Sequence, residues 1–290
     1  MHKKTHIFKV INIVAHPRNK QTPETYINAF NSVLENKQVE MLTRKDNKNP
    51  KAGILTKFEP LTTDSNDVYI GEFSIGTYYG DEVAILDTQT LKQKNSQDLS
   101  SIFLAPKDYS FWFHSKSHRI IIPKSLPIDK FVMFLRRAFA RIQPSIEIVV
   151  TPVWSKQVID EILNSTNVVK LYIETNYTNN DNNEAFASLI DENNRATGVS
   201  SLTTTAKADK GLRLNIKDNR VLSALLSLCR ENGYAKADVE YDDGTVGTIS
   251  TKEHHEELPL EVGELDRIQE SDIADLVLRS TDRDIQNDEG

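Results

Sequence analysis

The stretch from Tyr109 to Val150, YSFWFHSKSHRIIIPKSLPIDKFVMFLRRAFARIQPSIEIVV, constrains the fold of this chain more than any other. Phe111-Trp112-Phe113 and Ile120-Ile121-Ile122 flank the polar turn HSKSHR, the pattern of a β-hairpin with a longer loop. Pro123 closes the second strand, since proline cannot donate to a ladder, and Pro127 opens a helix, where its missing N–H costs nothing. Projected at about 100° per residue, Ile128, Phe131, Val132, Leu135, Ala138, Phe139 and Ile142 fall on one side of that helix. Lys130, Arg137 and Arg141 fall together on the other, beside Phe134. A strand from Ile146 follows Pro144. A hairpin, an amphipathic helix and a further strand in succession need a sheet with helices packed on it, so the expected class is α+β.

The flanking sequence extends this pattern. Ile7 to Ala15 alternates as a strand and is stopped by His16-Pro17; Thr22-Pro23 supplies an N-cap and a first-turn proline for a helix to about Glu35. Strands are expected at 39–44, 53–61, 72–79 and 83–86. After Pro144 the expected order is strand 146–153, helix 156–163, strand 168–177, helix 184–195, strand 199–208, helix 218–232, then a hairpin of strands 237–241 and 246–250. Gly233 is expected to end the helix in the left-handed conformation. This gives two α/β layers with mixed, largely antiparallel sheets, the second resembling an elaborated split βαβ unit. The expected domains are 1–144, 145–260 and an acidic, partly disordered tail, 261–290.

Charge is unevenly spread. The chain carries a net charge of −7, but residues 252–290 hold 13 acidic and 4 basic residues, which leaves the rest slightly basic. From Lys107 to Arg141 there are eight basic residues against two acidic ones. One cysteine, Cys229, excludes an internal disulfide and a Cys-rich zinc module, and fits a reducing, cytoplasmic setting. No apolar run approaches the roughly 18 residues a membrane span requires, so no membrane insertion is expected.

Clustered cations with aromatics between them suit a polyanion, because phosphate contacts give affinity without a sequence code and stacking adds to it. The candidate nucleic-acid contacts are Lys116, Arg119, Lys130, Arg136, Arg137 and Arg141. A second basic run, Lys207, Lys210, Arg213, Lys217 and Arg220, extends the surface, with Lys210 and Arg213 as its main candidates. Asp238, Glu240 and Asp242 alternate on a strand, as the carboxylates of a metal-dependent nuclease would, but they lead into an Asp-Asp-Gly turn where acidic residues serve the backbone. His114 and His118 read as turn histidines, His254 and His255 as an exposed polar segment, and Cys229 as a core thiol. The sequence holds no phosphate-binding loop, dinucleotide fingerprint, GxSxG elbow or HExxH helix, so neither catalytic residues, a metal nor a cofactor is assigned.

Three ordered patterns resemble a known family: INIVAHP with TPETYINAF; the aromatic hairpin ending SHRIIIP before a Phe/Leu/Arg-rich helix; and VVKLYIETNYTNND followed by LLSLCRENGYAKADVEYDDGT. Over residues 7 to 258 the chain resembles the bacterial and phage group called domain of unknown function 4747, and more loosely DNA-binding phage-exclusion proteins. The resemblance implies a non-catalytic, nucleic-acid-binding component of an antiphage system, acting as a homodimer on DNA rather than RNA, with a second defence protein as a further partner. It transfers no active-site residue. A nuclease effector and a protein–protein adaptor are the alternatives.

Overall fold

The structure is a computed structural model that describes residues 3–16, 20–44, 47, 49–62, 67–78, 85–86, 93–94, 104–176, 185–199, 201–263 and 268–280. In chain order its first half comprises β1 (Lys3–His16), α1 (Pro23–Glu35), β2 (Val39–Met41), β3 (Lys51–Pro60), β4 (Val68–Thr77), β5 (Ile85–Leu86), β6 (Gln93–Lys94), β7 (Leu104–His114), β8 (Arg119–Pro123) and α2 (Ile128–Ile142). There follow β9 (Glu147–Pro152), α3 (Lys156–Asn164), β10 (Val168–Asn176), α4 (Ala185–Ala196), β11 (Ser201–Lys207), α5 (Arg220–Asn232), β12 (Gly233–Glu240), β13 (Val246–Ser250), β14 (Glu257–Gly263) and α6 (Glu270–Ser280). The class is α+β with mostly antiparallel sheets, as the sequence pattern implies.

The chain forms two compact units, and neither is one continuous segment: one comprises Ala15–Lys116 and Ser125–Ile148, the other Met1–Val14, Ser117–Lys124 and Val149–Gly290. The last passage between them lies between Ile148 and Val149. The first strand and the segment around β8 nevertheless belong with the C-terminal half, because β1 pairs with both β8 and β14.

In the first unit the antiparallel order is β7-β4-β3-β2, with α1 and α2 packed against β3. Thr22 caps α1 and Pro23 occupies its first turn. Aromatic rings build the core: Phe30 stacks on Phe58 at 4.5 Å and meets Phe139 edge-on at 5.2 Å, and Phe73 packs on Phe131 and Phe134. Phe111, Trp112, Phe113 and Phe134 are all buried, so the aromatics of the hairpin and helix serve the core and offer no stacking surface. Tyr26 is buried there too, its hydroxyl accepting from the Ala15 amide, and burial pushes its pKa up.

The second unit carries two sheet regions. In one the order is β14-β1-β8, with β9 also on β1 and α6 packed against β14 and β8. In the other the antiparallel order is β11-β10-β12-β13. Here Leu171, Ile173, Ala235, Ala237 and Val239 face one way and bury themselves against Val158, Ile159 and Ile162 of α3, Ala187 of α4 and the apolar side of α5. Cys229 lies in that core, where burial raises its thiol pKa and leaves it inert.

Gly233 does not cap α5 in the left-handed region. Its φ is 174°, which is extended backbone, and it is the first residue of β12. The glycine is required by proximity: a Cβ there would lie 1.8 Å from the Glu174 carbonyl oxygen of the paired strand. Its own carbonyl accepts from the Trp154 indole N–H. Because the β10 backbone cannot give way without losing its ladder, Gly233→Ala is expected to destabilise the chain by about 2 kcal/mol or more. Urea unfolding of the two proteins measures this, and equal midpoints would refute the packing account.

Candidate nucleic-acid interface

Helix α2 has the amphipathic period the sequence implies, but its basic stripe is not free. The stripe faces β2, the edge strand, and is consumed by it. The Lys130 ammonium donates to the Leu42 carbonyl at 2.8 Å, and the Arg137 guanidinium donates to the Met41 carbonyl. Arg141 pairs with the Glu40 carboxylate at 3.1 Å, and the Glu40 side chain is only 2% exposed. Gln38 also donates to Glu40 at 2.8 Å. The three cations thus secure a short edge strand and compensate a buried carboxylate. Arg136 is exposed on another side of the helix.

The hairpin residues are likewise committed. Arg119 is completely buried and heads the largest fully buried side chains, so the expectation that it reads phosphate is corrected. It lies opposite Asn12 in the β1–β8 register, in a strand buried through Ile122. Lys116 pairs with Asp67 at 2.7 Å and Lys124 with Glu257 at 2.8 Å. His118 adopts a φ of 57° in the turn, and its carbonyl accepts from the Ile13 amide. His254 is exposed as expected, whereas His255 stacks on Trp154 at 5.0 Å. Among the described residues no group of three His, Cys, Asp or Glu side chains could hold a metal ion.

A different surface is open. The four-stranded sheet buries one face under α3, α4 and α5, and strict alternation turns the remaining side chains the other way. The register sets them in rows. Lys207, Lys170, Asp238 and Thr248 form one row across the four strands; Thr205, Tyr172, Lys236 and Ser250 form the next; Thr203, Glu174 and Tyr234 form a third. Lys170, Lys207 and Lys236 are exposed. The Tyr172 and Tyr234 rings sit side by side with centroids 5.4 Å apart and planes 31° from parallel. Tyr172 donates to Glu174 at 3.1 Å, and the neighbouring Tyr234 hydroxyl, ahead of desolvation, raises its pKa. The Lys252 ammonium lies 3.8 Å above the Tyr234 ring centre.

The acidic residues of this face are mostly engaged. Glu240 pairs with Arg213 at 2.9 Å. Asp238 accepts from the Thr248 hydroxyl at 3.0 Å and lies 3.8 Å from Lys236. Asp238 and Glu240 do share a face, as their spacing implies, but both are partnered by side chains of the face itself; Asp242 is exposed in the turn. Lys210 is exposed at the turn after β11, and Lys217 donates to Asn164 at 3.4 Å. Lys170 and Lys207 stand directly opposite each other, and among the described residues neither is in an ion pair. The second basic run, and not the first, therefore borders an open face. Tyr172 and Tyr234 escaped the sequence reading, although the alternation in VVKLYIETN and GYAKADVE carries both.

Fold and surface together define an α+β protein with an open-faced antiparallel sheet whose exposed side combines paired tyrosines with lysines. The chain matches the family model described as Domain of unknown function (DUF4747) over residues 4–265, and it belongs to that family. No curated protein matches it. Among the described residues no helix is long and apolar enough to cross a membrane.

If Arg141 serves β2 and not a ligand, Arg141→Ala should lower stability by about 1–2 kcal/mol by leaving the buried Glu40 with Gln38 alone. Urea unfolding reads this, and oligonucleotide affinity should not change. Lost affinity at unchanged stability would return the helix stripe to the binding surface.

Proposed function

We propose that this protein is a non-catalytic nucleic-acid-binding protein and that it binds on the open face of the β11-β10-β12-β13 sheet. One observation carries the reading: Lys170 and Lys207 directly opposed on adjacent strands, with no carboxylate pairing either of them among the described residues. Like charges placed this way cost sheet stability. A polyanion lying across the strands relieves that repulsion and releases its own counterions. Lys236 adds a third exposed cation in the neighbouring row, beside Tyr172. Lys252 and Arg213 border the face, so cations outnumber the carboxylates Glu174, Asp238 and Glu240. By contrast, Lys130, Arg137 and Arg141 are held by β2, and Arg119 lies inside.

The antiphage role implied by the family resemblance belongs to this proposal, with nucleic acid as the ligand through which the protein would act. The combined variant Lys170→Ala, Lys207→Ala, Lys236→Ala tests both parts. In a salt titration of oligonucleotide binding, its plot of log affinity against log salt should be flatter than wild type by about 2, given roughly 0.7 per phosphate contact on a single strand. Affinity at low salt should fall at least about tenfold. A wild-type slope and affinity would refute the site. Cells carrying the wild-type gene should plate phage less efficiently than cells carrying the variant; equal plating would refute the defence role while leaving the binding measurement to stand by itself.

A further inference from the structure

Resting on that reading of the open face, we propose that its substrate class is single-stranded nucleic acid, with two neighbouring unpaired bases lying on Tyr172 and Tyr234. The two rings belong to adjacent antiparallel strands and are diagonal neighbours, since Tyr172 is opposite Lys236 and Tyr234 is opposite Glu174. At 5.4 Å between centroids they are spaced for successive bases of one extended strand. The Tyr172 hydroxyl is tied to Glu174, which anchors that ring by its edge. Lys252 shows that a cation reaches the Tyr234 surface, at 3.8 Å. An incoming base takes that place by stacking, and the exposed ammonium moves to a phosphate.

The surroundings select against other ligands. A duplex keeps its base faces inside its own stack, so on this sheet it meets the lysines and not the tyrosines. The face is polar from edge to edge, and Val246 is its one exposed large apolar side chain among the described residues, which gives an apolar protein partner little surface to bury. The hydroxyls of Thr203 and Thr205 stand exposed on the strand next to Tyr172 and can both donate to and accept from base edges.

Fluorescence anisotropy of the full chain with labelled oligo(U), oligo(dT) and a duplex of matched length, at one fixed salt concentration, tests the proposal. The single strands should bind at least about tenfold tighter than the duplex. Tyr172→Ala and Tyr234→Ala should each weaken single-strand binding about five- to hundredfold and leave duplex binding unchanged. Tyr172→Phe and Tyr234→Phe, which keep the ring, should remain within about threefold of wild type, and this pair keeps the test sharp if an alanine variant fails to fold. Tighter binding of oligo(U) than oligo(dT) assigns the ligand to RNA, and the reverse to DNA; either supports the single-strand class. Equal affinity for duplex and single strands, insensitive to the tyrosines but lost in the triple lysine variant, would overturn this proposal and leave the polyanion reading intact. Absence of binding to every oligonucleotide would overturn both.

Discussion

The close pairing of β10 with β12 is the contact on which the site depends. At Gly233 the two backbones approach so tightly that a single added carbon would strike the Glu174 carbonyl. The pairing sets the register, and the register sets the surface: Tyr234 beside Glu174, Lys236 beside Tyr172, Asp238 beside Lys170. A slip of one residue would exchange the faces, turning the tyrosines and lysines toward α5 and the aliphatic residues toward water. Burial of Leu171, Ile173, Ala235, Ala237 and Val239 against α3 and α5 opposes that slip. Core packing on one side therefore presents the polar array on the other, and the rows need no further element to order them.

The two groups of cations differ in what lies within their reach. Those of α2 meet an edge strand that has carbonyls to offer and a buried carboxylate to compensate. On the sheet face Lys170 and Lys207 stand opposite each other and outside any ion pair among the described residues, while Lys236 lies 3.8 Å from Asp238 and Arg213 pairs with Glu240. A charge count along the sequence weights both groups alike and favours the hairpin and helix, where the density is greatest. Position relative to an edge strand decides which charges are spent on structure.

Much of the fold was legible because local chemistry and tertiary packing agree. Thr22-Pro23 marked α1, the apolar period of 128–142 marked α2, and the Asp-Asp-Gly turn marked the β12–β13 hairpin. The helical period correctly separated the two sides of α2 but carried no information on which neighbour would flank its basic side, and β2 took it. Strand β14 was hidden because Pro259 interrupts a short, acidic segment; it survives at the edge of its sheet, where a missing donor is tolerated. Arg119 was misread because a charged residue after a polar turn usually lies outside, and burial of its strand is decided by β1. The site itself was partly legible: the alternation of Asp238 and Glu240 was noticed, but the same alternation in Lys170 and Tyr172 was read only as strand, and Tyr234 fell between the expected helix 218–232 and the strand expected from 237. The approach of Tyr172 and Tyr234, 62 positions apart in the sequence, is fixed by strand pairing, which no local pattern expresses.

Photocrosslinking of the full chain to an oligonucleotide that carries a photoreactive pyrimidine, followed by mass spectrometry of the joined peptides, asks the molecule directly which surface holds the ligand. The account predicts adducts at Tyr172 and Tyr234, on peptides from β10 and β12. Adducts confined to α2 and the turn before β8 would contradict it.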